Sequence, residues 1–111
     1  PGPSPWDDAR RRGVDFRAIG QEPGWVLEID REKQMYLLAD YGEKTVYTPV
    51  PAARDSAGTT IYDAKTEAHR LTVAIRAAVC HDSMSGEEMT HTITVMLDGK
   101  QYQGCGRQLR P

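Results

Sequence analysis

The chain has 111 residues, room for one domain and not two. At 39% hydrophobic and 27% charged it has the composition of a soluble globular protein, and its length excludes a large scaffold such as a (β/α)₈ barrel. The net charge of −2, from 14 basic and 16 acidic residues, argues against an electrostatic nucleic-acid binder, and no apolar run approaches the roughly 18 residues that span a membrane.

Residues 1–13 (PGPSPWDDARRRG) set prolines and glycines among charges and read as a flexible arm. Arg10, Arg11 and Arg12 are offset by Asp7, Asp8 and Asp15, as on a solvated tail. Such an arm also suits a tether to an upstream lipid anchor, the one route by which this chain is expected to meet a membrane. From Val14 onward the apolar pattern has a period near two, the mark of strands with one buried face. Residues 15–19 alternate imperfectly. Residues 25–30 alternate well, with Trp25, Leu27 and Ile29 on one face. Residues 35–39 follow a charged turn, and 44–48 follow Asp40, Tyr41, Gly42 and Glu43. Residues 49–58 read as an irregular loop, because Pro49 and Pro51 remove ladder donors.

Residues 59–62 form a short β-branched run, and 63–70 fit either one helical turn or a hairpin loop. Residues 71–76 alternate again, and 91–97 are the strongest strand signal in the chain. Asp98-Gly99 then precedes the run 100–104, a two-residue hairpin signal, since both residues tolerate positive φ. About eight short strands with turn signals every 8–12 residues or so predict an all-β meander, barrel or sandwich. The preferred reading is a small antiparallel β-barrel occupying residues 14–111, with at most one short helical turn.

Cys80 and Cys105 lie 25 positions apart with no CxxC, which is neither a zinc-finger nor a thioredoxin-like spacing. Both close predicted strands. One reading is a structural disulfide, which implies export and contributes roughly 3–3.5 kcal/mol in the chain-entropy picture. The other is a pair of reduced thiols packed as small hydrophobes.

Two turns are candidates for function. In Gly20–Trp25, Glu22 and Trp25 set a carboxylate beside an aromatic ring, a binding rim for sugars or cationic groups. The plainer reading is an ordinary turn with Trp25 plugging one end of the barrel. In residues 79–86, His81, Asp82, Ser83, Met84 and Ser85 cluster without a nucleophile elbow, so hydrolysis has no support. Asp82 and Ser85 suit hydrogen bonds to loop amides, and the same loop suits a small ligand. His69, His81 and His91 are spaced 12 and 10 apart, which fits no standard metal motif. Glu87 and Glu88 read as a solvated pair rather than as glycosidase carboxylates. There is no P-loop, GxGxxG or HExxH. The expectation is a protein that is not an enzyme and carries no metal or cofactor.

The two turns together resemble the motifs of a family of bacterial envelope proteins. FRAIGQEPGWVLEI (residues 16–29) is similar to that family's F-R-A-x-G-N-E-P-x-W-x-L-x-I opening, with Gln21 where the family often has asparagine. VCHDSMSG (79–86) and LDGKQYQGCG (97–106) resemble its C-x-D-x-M-S and G-x-x-x-x-G-C endings. The resemblance covers roughly residues 16–106 and leaves 31–69 without a motif. Its members are mostly uncharacterised lipoproteins or exported proteins, sometimes beside META or lysozyme-inhibitor domains. The resemblance implies export, a periplasmic or outer-membrane-associated location and a Cys80–Cys105 disulfide. It implies no activity.

The expected function is a non-enzymatic accessory or binding domain of the cell envelope, its partner an unspecified protein or small ligand there. Glu22, Trp25, Asp82, Ser83, Met84 and Ser85 are its candidate site, the two turns being expected to lie together. One alternative is an inhibitor of a secreted muramidase, because envelope barrels of this size include lysozyme inhibitors that insert a small polar loop into the enzyme cleft. That inhibitor family's own loop signature is not recognised in the chain. The other alternative is a carrier of a small molecule in the barrel interior.

Overall fold

A computed structural model describes residues 4–111, so residues 1–3 of the expected arm lie outside the described residues. The rest of that arm differs from the expectation of flexibility. Pro5–Arg11 form helix α1. The Ser4 hydroxyl caps it by accepting the Asp7 amide at 3.1 Å, and Pro5 stands in the first turn, where its missing N–H costs nothing. Asp7 and Asp8 occupy the first turn and Arg10 and Arg11 the last, each favoured by the helix dipole. The charges that read as a solvated tail are therefore start and stop signals. Ala9 is fully buried, and the Arg12 guanidinium grips the Glu28 carboxylate at 3.0 and 2.9 Å. The Trp6 ring packs against two guanidinium groups, with Arg17 Cζ 4.6 Å and Arg107 Cζ 4.8 Å from its centre.

The strands are β1 Phe16–Gly20, β2 Trp25–Asp30, β3 Gln34–Ala39, β4 Lys44–Thr48, β5 Arg54–Ser56, β6 Thr59–Lys65, β7 Arg70–Arg76, β8 Cys80–His81, β9 Glu88–Met89, β10 His91–Leu97 and β11 Lys100–Gln108. Nine of them form one antiparallel sheet in the order β4-β3-β2-β1-β11-β10-β7-β6-β5, and β8 pairs with β9 alone. The sheet curls into a half-barrel and does not close, which corrects the expectation of a barrel. Its two edges, β4 and β5, are joined by residues 49–53, where Pro49 and Pro51 have no N–H to offer a closing ladder. Residues 63–70 contain no helical turn. β6 runs on to Lys65, and Thr66 Oγ1 accepts the Ala68 and His69 amides in a tight reversal into β7.

Inside the curl, alternate residues of each strand meet. Phe16, Leu27, Ile29, Leu37, Leu71 and Ile93 are among those at or below 2% exposure. The apolar side chains inside the curl form one buried cluster, and a cleft lies on the sheet's outer face. One glycine pair matters to that face. Gly20 of β1 stands opposite Gly104 of β11, and a Cβ on either would overlap the Trp25 indole, which lies across both. The indole N–H reaches the Gln103 carbonyl at 3.3 Å.

Candidate functional site

Residues 77–90 leave the sheet between β7 and β10 and cross over to β11. The Cys80–Cys105 disulfide, with Cα atoms 5.5 Å apart, fastens this excursion to the sheet, and neither thiol is free. Thr92 donates to the Ala78 carbonyl at 3.0 Å, and Arg107 donates to Glu87 Oε2 at 2.9 Å and to the Glu88 carbonyl at 3.1 Å. At the tip, Asp82 is 5% exposed and organises everything around it. Its Oδ2 accepts the Met84 amide at 3.2 Å, the Ser85 amide at 2.9 Å and the Ser85 hydroxyl at 3.0 Å, while Oδ1 accepts the Gln21 side-chain amide at 3.3 Å. These donors, the Ser85 amide first, hold the Asp82 carboxyl below the usual carboxylate range. The Gln21 side-chain amide links the two turns.

Between the two turns lies an open cleft of about 600 Å³. Its floor is the outer face of β10 and β11. Thr92 and Thr94 alternate with the buried Ile93 and Val95, and the hairpin register sets Gln103 opposite Thr94. Glu22 and Ser83 stand at its rim, and the disulfide borders it. The side chains of Glu22, Ser83, Thr94, Gln101 and Gln103 have no hydrogen-bond partner among the described residues, whereas Gln21, Trp25, Asp82, Thr92 and Tyr102 are hydrogen-bonded within the fold. Across the Gln21–Gly24 turn lies a second, apolar groove of about 300 Å³, lined by Ile19, Val26, Leu38 and Tyr41.

Trp25 offers this cleft no stacking face. It is 3% exposed and packs edge-on to Tyr102 with ring centres 6.5 Å apart. Burial of its faces favours the plug reading over the aromatic rim. Asp82 and Ser85 act on the loop itself. Ser83 and Met84 face outward, Met84 being 71% exposed. The histidines are scattered. His69 Nδ1 lies 2.6 Å from Asp98, His81 Nε2 lies 3.4 Å from Glu88, and His91 packs its ring against Phe16, where burial pushes its pKa down. No group of three His, Cys, Asp or Glu residues placed to hold a metal occurs among the described residues.

The cleft floor escaped notice in the sequence, although its signal was there. The alternation in 91–97 sets Thr92 and Thr94 opposite the core face, and the Asp98-Gly99 hairpin carries Gln101 and Gln103 beside them. The disulfide suits an oxidising, exported environment. Among the described residues no helix is long and apolar enough to cross a membrane. No protein-family model, no curated protein and no solved structure matches the chain.

Proposed function

We propose that this protein is a non-enzymatic accessory or binding domain of the bacterial cell envelope, exported to the periplasm or held at the outer membrane, and that the cleft beside the Cys80–Cys105 bridge is its binding site. The observation that carries this reading is the contrast within the cleft. Asp82, Gln21, Ser85 and the disulfide lock its frame, yet Glu22, Ser83, Thr94, Gln101 and Gln103 converge on it without internal partners. Open hydrogen-bonding groups on a rigid frame are what a ligand site needs, because neither must be reorganised on binding. The non-catalytic part of the reading draws on Asp82, whose carboxylate is engaged by the Met84 and Ser85 amides, the Ser85 hydroxyl and Gln21. The envelope assignment draws on the disulfide and on the motif resemblance.

Thermal-shift measurements with envelope-derived muropeptides, short peptides and saccharides test the site. A Thr94→Arg variant fills the cleft from the solvent side of β10. Binding that raises the melting temperature of the native chain but not of this variant is the expected result. An equal rise in both, or no rise with any probe, overturns the proposal.

A second reading, inhibition of a secreted muramidase, is favoured by one observation. Met84 stands 71% exposed at the tip of a loop clamped by Asp82 and the disulfide, the form of an insertion loop whose ordering precedes binding. It predicts inhibition near equimolar ratio, weakened by Met84→Glu. Full muramidase activity at a large molar excess dismisses it.

A further inference from the structure

Resting on the reading of the cleft as a binding site, we infer that its ligand is cationic: an ammonium or guanidinium group on an aliphatic stem, presented by a basic peptide or by a free polyamine. Three observations carry the inference.

The first is the composition of the cleft against that of the chain. Of 14 lysines and arginines, none lines it. The cations that flank it along β11 are both occupied: Lys100 Nζ donates to Asp40 Oδ1 at 2.8 Å, and Arg107 is held by Glu87 and the Glu88 carbonyl. Two carboxylates, Glu22 and Asp82, line the same space. The one basic side chain of the lining, His81, lies 3.4 Å from Glu88 Oε1, and Asp82 is engaged by its own loop, so Glu22 is the open charge: it repels an anion and attracts a cation.

The second is Glu22 itself. Three acidic residues of this chain sit at left-handed φ in turns between strands: Glu22 at 54°, Asp40 at 52° and Asp98 at 49°. That conformation is costly for a residue with a Cβ, and Tyr41 at 57° and Ala57 at 52° also adopt it with no side-chain hydrogen bond among the described residues, so it is the fate of the acids' carboxylates that separates the three. Asp40 is held by Lys100 and Tyr102, and Asp98 by the Arg70 amide and His69. Glu22, exposed at the cleft rim, has no hydrogen bond or ion pair among the described residues. Of the three acids only Glu22 keeps a carboxylate open to a cationic ligand.

The third is the rest of the lining. Neutral amides and hydroxyls of Gln101, Gln103, Thr94 and Ser83 line the same cleft and supply oxygen acceptors for N–H donors. A sugar ring looks for an exposed aromatic face, and both aromatic residues here, Trp25 and Tyr102, are 3% exposed with their faces in the core.

The test is an amide-resolved NMR titration of the full chain with four probes: Nα-acetyl-lysine methylamide, its Nε-acetylated form, 1,5-diaminopentane and a neutral disaccharide. Lysine methylamide and the diamine are expected to shift Gly20, Gln21, Ser83 and residues 101–104, with the Nε-acetylated form at least about tenfold weaker. Glu22→Gln is expected to weaken the cations about tenfold, since a charge-assisted hydrogen bond is lost. Thr94→Lys, which places an ammonium in the cleft, is expected to abolish their binding even if Glu22→Gln disturbs the turn. Tighter binding of the lysine probe indicates a basic protein segment, and tighter binding of the diamine a free polyamine; both support the inference. If the disaccharide or the Nε-acetylated probe shifts the cleft as strongly as lysine does, the cationic assignment fails while the binding site stands. If no probe shifts these residues, both fail together.

Discussion

Two kinds of turn close the strands of this half-barrel, and they treat the same chemistry in opposite ways. The β3–β4 and β10–β11 turns each place an aspartate at positive φ and then tie its carboxylate down. Asp40 receives Lys100 at 2.8 Å and the Tyr102 hydroxyl at 2.9 Å, and Asp98 receives the Arg70 amide at 2.8 Å and His69 at 2.6 Å. The β1–β2 turn also places an acid at positive φ, but Glu22 has no partner, and the turn is held by its neighbours instead. Gln21 reaches Asp82, the Gly24 carbonyl accepts the Tyr41 amide at 3.0 Å, and Trp25 lies beneath, over Gly20 and Gly104. A carboxylate bonded within the fold serves stability. One held rigidly by its surroundings and left open is available to a ligand.

The sharpest way to break this contrast is to remove what seats the Glu22 turn. Trp25→Ala deletes a fully packed indole whose place no neighbour can fill, and it is expected to cost about 3–5 kcal/mol in urea unfolding. A cost below about 1 kcal/mol would mean that the turn does not rest on the core. Removing the bridge with Cys80→Ala and Cys105→Ala is expected to cost about 3 kcal/mol, with a different signature. Amide exchange should quicken in residues 79–90, while the Asp40 and Asp98 turns keep their protection. Uniform loss of protection would show that the excursion is integral to the sheet.

The bonded turns should report themselves through pH. Lys100 first, then Tyr102 and Lys44, holds the Asp40 carboxyl down to about 2 from its ordinary value of 3.8. Since the folded form binds its proton less readily than the unfolded form, this contribution is complete above about pH 4. It fades as the pH falls toward 2. Asp98 and Asp82 shift in the same direction, the first chiefly through the Arg70 amide and the second through the Ser85 amide. Asp40→Asn is therefore expected to lower stability at pH 7 and to flatten the acid limb of the stability curve between pH 4 and 2. An unchanged acid limb would show that Lys100 and Tyr102 do not act on Asp40 in solution.

How far these features could be read from the sequence depended on whether their cause was local. The strands 25–30 and 91–97 and the Asp98-Gly99 reversal follow from side-chain period and turn chemistry, both visible over a few residues. The bonds of Asp82 to its loop were likewise within reach, because an aspartate two and three residues before free amides is a local motif. The failures were non-local or were judged by charge alone. Helix α1 hid behind prolines and arginines whose positions, once Ser4 is taken as the cap, are helix signals. Whether the sheet closes depends on the meeting of its two edges, β4 and β5, which no periodicity along the chain records. The cleft needed β10, β11 and two turns brought to one face, and the seat of the Trp25 indole depends on Gly20 and on Gly104, which lies far along the chain.

The smallest effect bears most directly on the comparison. Glycine at a left-handed position relieves the Cβ penalty but adds freedom to the unfolded chain, and the two terms nearly cancel. What remains is decided by the side chain that is lost. For Asp98→Gly the loss includes the Arg70 amide and His69 contacts, so stability is expected to fall. For Glu22→Gly no internal contact is lost, and stability is expected to hold or to rise by about 0.5 kcal/mol. The two variants, measured side by side by denaturant unfolding at neutral pH, should therefore move in opposite directions although both remove an acid from positive φ. If Glu22→Gly falls as Asp98→Gly does, Glu22 has a structural partner in solution, and the argument that its carboxylate is kept for a ligand loses its basis. If Glu22→Gly is neutral or stabilising and also loses affinity for the lysine probe, the acid has been kept at a strained position against the interest of the fold, which is what a binding residue requires.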